Sequence, residues 1–90
     1  MIEVKFASGV EESLIKIKRK NSKLFSRIDK QLALFVENPK HPSLRTHKLS
    51  GKMKNMLSIS ITVNIRMVYV KISDNSFIFV KIVTHKEVYK

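Results

Sequence analysis

Three apolar runs follow one another between Leu57 and Val83, separated only by short polar breaks, and this spacing constrains the fold more than any other feature. Leu57, Ile59, Ile61 and Val63 alternate strictly with Ser58, Ser60, Thr62 and Asn64. A period of two is that of a half-buried strand. Residues 65–72 are almost continuously apolar, which fits a central strand, with Arg66 near its start. Residues 77–83 form a third apolar run. Val63 and Asn64 predict the first turn, and Ser73, Asp74, Asn75 and Ser76 carry the turn chemistry of the second. Two hairpins in series give an antiparallel meander.

The first half changes period. Ile2, Val4 and Phe6 alternate with Glu3 and Lys5 as a short strand. Ser8, Gly9, Val10 and Glu11 have capping-box spacing, which predicts that the Ser8 hydroxyl accepts from the amide three residues on while Glu11 reaches back. Val10, Leu14 and Ile17 follow at helical spacing, and Lys16, Lys18, Arg19 and Lys20 gather where cations suit the helix dipole. Asn21 and Ser22 break this helix and cap a second one, whose stripe is Phe25, Ile28, Leu32, Phe35 and Val36. Asn38-Pro39 stops it, because the residue before proline disfavours the α region. Residues 41–55, with Pro42 and Gly51, read as a basic loop holding at most a short strand. The order is β-α-α-β-β-β over residues 1–90: a single α+β domain, with a helical hairpin packed on one face of a small antiparallel sheet.

Ninety residues bury a thin core, and with no cysteine the fold rests on packing, which suits a reducing compartment. No apolar run reaches the roughly 20 residues of a membrane span. The N-terminal residues lack the apolar core of a signal peptide, so a cytoplasmic location is expected. The formal charge of +11 is extreme for this size, and its self-repulsion points to a polyanionic partner. Nucleic acid is the first candidate, an acidic protein the second and an anionic membrane surface the third. The bland alternative is a solubilising surface, since 14 of the 18 basic residues are Lys. Distribution sharpens the choice: no acid occurs between Glu37 and Asp74, a stretch holding Lys40, Arg45, Lys48, Lys52, Lys54, Arg66 and Lys71.

The histidines are His41, His47 and His85, and none forms a metal motif, so neither metal nor cofactor is expected. If the helices cover one face of the sheet, the other is open for function, lined by Ser58, Ser60, Thr62 and residues 84–90. Arg66 in an apolar strand must meet an anion, a carbonyl or water. His85, directly after the last strand, can exchange protons at neutral pH. Together they would make a phosphate site of one fixed cation and one proton carrier. Lys48, Lys52 and Lys54 could hold flanking phosphates, and Tyr89 could stack on a base. Such a set suits metal-free RNA cleavage by 2′-hydroxyl attack. The bland readings are a structural strand-end histidine, an arginine paired with a carboxylate, solvated lysines and a tyrosine covering the core edge. Strand parity places Arg66 with Val68 and Val70, so Arg66 is structural if that face meets the helices.

Four stretches together carry a resemblance: residues 41–51 (HPSLRTHKLSG), 57–61 (LSISI), 65–69 (IRMVY) and 84–89 (THKEVY). They resemble the RelE/ParE toxin superfamily, and look closest to its YafQ-like and RelE/StbE-like branch of type II toxin–antitoxin systems. The resemblance implies the β-α-α-β-β-β fold and a ribosome-dependent endoribonuclease that enters the ribosomal A site and cuts mRNA. It implies an acidic antitoxin wrapped around the toxin, with operator DNA met only through their complex. On this likeness His85 matches the catalytic histidine, Tyr89 the aromatic residue after it, His47 a second histidine and Arg66 the arginine at the scissile phosphate. Arg45, Lys48, Lys52 and Lys54 would contact RNA phosphates. Ser60 and Asn64 stand where the YafQ-like branch has a histidine and an acid, which leaves the base and acid roles to His47 and His85. The alternatives are a ParE-like gyrase inhibitor and an inactive homologue that only binds an antitoxin.

Overall fold

The computed structural model describes residues 2–49, 51 and 55–84. Its elements run β1 (Glu3–Phe6), α1 (Ser8–Lys20), α2 (Ser22–Glu37), a 3-10 turn (Pro42–Leu44), β2 (His47–Lys48), β3 (Leu57–Ser60), β4 (Ile65–Ser73) and β5 (Ser76–Thr84). One five-stranded sheet has the order β1-β5-β4-β3-β2, so the most apolar strand, β4, is central. The expected α+β architecture is present, but the sheet is mixed. β2 to β5 pair antiparallel, while β1 lies parallel to β5 at the opposite edge from β2.

Two local expectations are corrected. The capping box does not form: Ala7 is the N-cap and no side chain caps the helix. The Ala7 amide donates to the Phe79 carbonyl at 2.9 Å, extending the β1–β5 pairing, so Ala7 stays extended and Ser8 falls inside the first turn. The strand predicted through Val63 ends at Ser60. The Ile61 and Thr62 amides both donate to the Ile65 carbonyl, closing a turn that leaves Val63 88% exposed. Other signals hold. The Asn21 side chain accepts from the Leu24 amide at 3.1 Å, and α2 ends at Glu37, before Asn38-Pro39.

The main core lies between the helices and one sheet face. Val10, Ile28 and Phe35 meet Ile59, Met67, Tyr69, Phe77 and Phe79. Phe35 is wholly buried, with its ring edge-on to Tyr69, Phe77 and Phe79 at 4.9, 5.1 and 5.2 Å between centroids. Such edge-to-face contacts add to the area that the rings bury. Val36, expected in the apolar stripe, is exposed, whereas Gln31 is buried in α2. On the other face Leu49, Val68 and Val83 form a second, smaller cluster with Met56 and Val80. No described helix is long and apolar enough to cross a membrane.

Candidate functional site

The two clusters decide the orientation of Arg66. Met67 and Tyr69 face the helices, while Val68 belongs to the second cluster, so Arg66 lies with Val68 on the helix-free face. Arg66 is 5% exposed. Nε donates to Ser58 Oγ at 2.7 Å, and one terminal nitrogen donates to the Ser58 carbonyl at 3.0 Å and to the Arg45 carbonyl. These three neutral acceptors fix the plane of the fork. Ser58, expected to line a wet surface, is instead fully buried and serves as the anchor of Arg66.

Directly opposed residues in antiparallel strands project to the same face. His47 is opposite Ser58, Ser58 opposite Val68, and Val68 opposite Lys81. One row across the helix-free face thus runs from the His47 edge to Lys81, and the adjoining row joins Ser60, Arg66 and Val83. Lys81 was missed from the sequence because strict alternation places it with Phe77 and Phe79, toward the helices. A register shift between Val68 and Tyr69 makes Val80 an extra residue on β5 and turns Lys81 to the other face. The available signal was its being the one charged residue within 77–83.

The remaining expected residues divide. Lys48 is opposite Leu57, whose row continues to Tyr69 and Phe79, so it lies on the other face from its neighbour His47. Arg45 contributes its carbonyl to Arg66 from a left-handed backbone, φ 45° and ψ 54°, while its side chain is exposed. Ser60 donates from its hydroxyl to the Thr62 carbonyl, and Asn64 is exposed in the turn. His85, Tyr89, Lys52 and Lys54 lie outside the described residues. β5 carries the chain to Thr84, opposite Ile65 and next to the Arg66–Val83 pair. Among the described residues no group of three or more His, Cys, Asp or Glu could hold a metal ion.

Concavities among the described residues flank this sheet. A groove of about 670 Å³ on the helix side is floored by Ile2, Leu57, Tyr69 and Phe77 and rimmed by Lys40, His41 and Lys71. Burial pushes the Tyr69 hydroxyl above the usual tyrosine pKa, and a hydrogen bond with Thr46 offsets part of that shift. The second hollow, about 370 Å³, lies between α2 and the β3–β4 turn, with Arg27, Lys30 and Arg45 among its walls.

No family model matches the chain, and no curated protein matches it in sequence. Solved structures do match in fold. A YoeB/ParE toxin from Agrobacterium tumefaciens superposes with a TM-score of 0.79 at 16% identity, covering 93% of this chain and 99% of the toxin. The YoeB-YefM complex from Staphylococcus aureus gives 0.77 at 20% identity over 94% of this chain and 98% of that one. YafQ from E. coli strain BL21(DE3) gives 0.69 at 13% identity over the full length of both. The chain therefore has the fold of these toxins.

Proposed function

We propose that the chain is the toxin of a type II toxin–antitoxin pair and cuts mRNA on the ribosome by metal-independent attack of a 2′-hydroxyl. The observation that carries this reading is Arg66, a buried cation with its fork oriented by Ser58 and Arg45, on the same sheet face as His47 and Lys81. The shared fold and the resemblance of residues 41–51 and 84–89 support it. One related structure is described as a YoeB-YefM toxin-antitoxin complex, which favours an antitoxin partner here. The charge of +11 suits both an acidic antitoxin and RNA.

In the proposed reaction the 2′-oxygen bonds to the adjacent phosphorus as a base takes its proton. Arg66, with Lys81 on the same face, stabilises the charge that grows on the non-bridging oxygens. The bond to the 5′-oxygen breaks and an acid protonates that oxygen. The products are a 2′,3′-cyclic phosphate and a 5′-hydroxyl. His47 and His85 take the two proton-transfer roles. The ribosome would supply the ordered strand and the remaining catalytic contacts.

The test is translation of a defined mRNA by purified ribosomes with this protein added, the new ends being mapped and their chemistry identified. Cuts in register with codons, dependent on ribosomes and ending in cyclic phosphate, are the expected result. Intact mRNA at saturating protein rejects the nuclease reading and leaves antitoxin binding, or a different target such as gyrase, to be measured.

A further inference from the structure

The hollow between α2 and the β3–β4 turn is walled by Arg27, Lys30 and Arg45, with Gln31, Ser43, Ser60 and Thr62 between them, and no acid lines it. Lys23, Arg27 and Lys30 recur at helical spacing, so α2 brings a basic face toward this end of the sheet. Among the described residues the ion pairs are Lys5 with Glu3 and Lys71 with Asp74, neither of which involves these cations. The floor is built. The buried Gln31 amide nitrogen donates to the Ser60 carbonyl at 2.8 Å and to the Ser43 carbonyl at 3.2 Å, tying the 3-10 turn to the end of β3. Arg27 donates to the Ile61 carbonyl at 3.4 Å, which draws its guanidinium across the rim.

The hollow adjoins the Arg66 site at two points. Ser60, which lines it, is the direct cross-strand neighbour of Arg66. Arg45 also lines it and gives its carbonyl to Arg66. A chain of phosphates running from Arg66 around the open sheet edge at Ser60, past Arg45, would reach this second group of cations. The geometry points to a subsite for the backbone of single-stranded RNA, with Arg27 and Lys30 on phosphates flanking the one at Arg66. This rests on the proposed function for the identity of the nucleic acid and for the phosphate at Arg66. Exposed Val63 at the rim offers an apolar surface to a sugar or base edge.

The test uses a 2′-O-methyl oligonucleotide of about a dozen nucleotides, which has no 2′-hydroxyl to attack, and fluorescence anisotropy across a salt series. The variant is Arg27→Gln with Lys30→Gln, both on exposed helix positions. A charge-matched control carries Lys16→Gln with Lys20→Gln on α1. For single strands each phosphate contact contributes about 0.7 to the slope of log affinity against log salt, so losing two should make it shallower by about 1.4. The control double should keep the wild-type slope. Equal changes in both doubles would reduce the effect to net charge and overturn the subsite, as would an unchanged slope in the hollow double or no binding by the wild-type chain. A loss confined to a hairpin RNA probe would overturn the single-strand path. Poly-glutamate binding that depends on Arg27 and Lys30, where oligonucleotide binding does not, would assign the hollow to an acidic protein and also overturn it. If binding behaves as expected but ribosomes with this protein leave mRNA intact, the subsite stands and the nuclease reading fails.

Discussion

Phe79 and Lys81 are separated by one residue on β5, yet they serve opposite sides of the sheet. Phe79 is sealed against Phe35 under the helices, while Lys81 shares the other face with Arg66 and His47. The helix face is held by rings and branched aliphatics and takes its stability from area removed from water. The second face has a small apolar cluster, and beside it a cation held by a serine and two carbonyls. One face is specified by volume, the other by hydrogen-bond geometry. Changes on the first should register in folding, and changes on the second mainly in chemistry.

The largest effect should come from Phe35→Ala. Deleting a fully buried ring at the centre of three others should cost about 3–5 kcal/mol, read as a fall in the urea midpoint. A loss below about 1 kcal/mol would show that the helix face is not the stability core.

Adjacent residues on β2 divide the faces more finely. His47→Gln should lower ribosome-dependent cleavage about a hundredfold, the lower end for general acid–base catalysis. Lys48→Gln, on the other face by register, should stay near the wild-type rate. Equal losses would erase the distinction.

Ser58→Ala tests how far the second face also contributes to stability. It leaves the Arg66 Nε–H without this acceptor in a buried site, a cost of about 1.5–3 kcal/mol. An unchanged midpoint would mean that the hydrogen bond adds nothing.

The smallest effect is a pH dependence on the helix face. The folded-state pKa of Tyr69 is raised by burial, so the native state keeps its proton longer than an unfolded tyrosine, which ionises near 10. This contribution is present in full below that value and is lost as pH rises from about 10 through the folded pKa. Tyr69→Phe should therefore lose less stability than wild type between about pH 9 and about pH 11, while equal losses would place the hydroxyl in water.

The helix face was legible in the sequence because its information is local. The stripe through Ile28 and Phe35, the cap at Asn21 and the stop at Asn38-Pro39 each depend on a few neighbouring residues. What was not legible depends on pairing between distant segments. Ala7 displaced Ser8 as the cap because Phe79, far along the chain, claims its amide. Gln31 is surface-like in a helical pattern until two carbonyls, one from the 3-10 turn and one from the end of β3, converge on it. Parity linked Arg66 to Val68 but could not say which face the helices cover, and the bulge at Val80 reversed the apparent side of Lys81. Arg66 could be named from its chemistry and His47 only from the family resemblance, and their common face emerged only from the register.

The most direct measurement of the central claim is single-turnover cleavage of ribosome-bound mRNA by Arg66→Lys, with folding checked by its denaturation curve. Lysine keeps the charge but loses the planar fork that Ser58 and Arg45 orient. The account predicts a folded protein that cleaves at least about a hundredfold more slowly, the scale of losing one oriented donor to a transition-state oxyanion. A folded Arg66→Lys protein that cuts at the wild-type rate would contradict it.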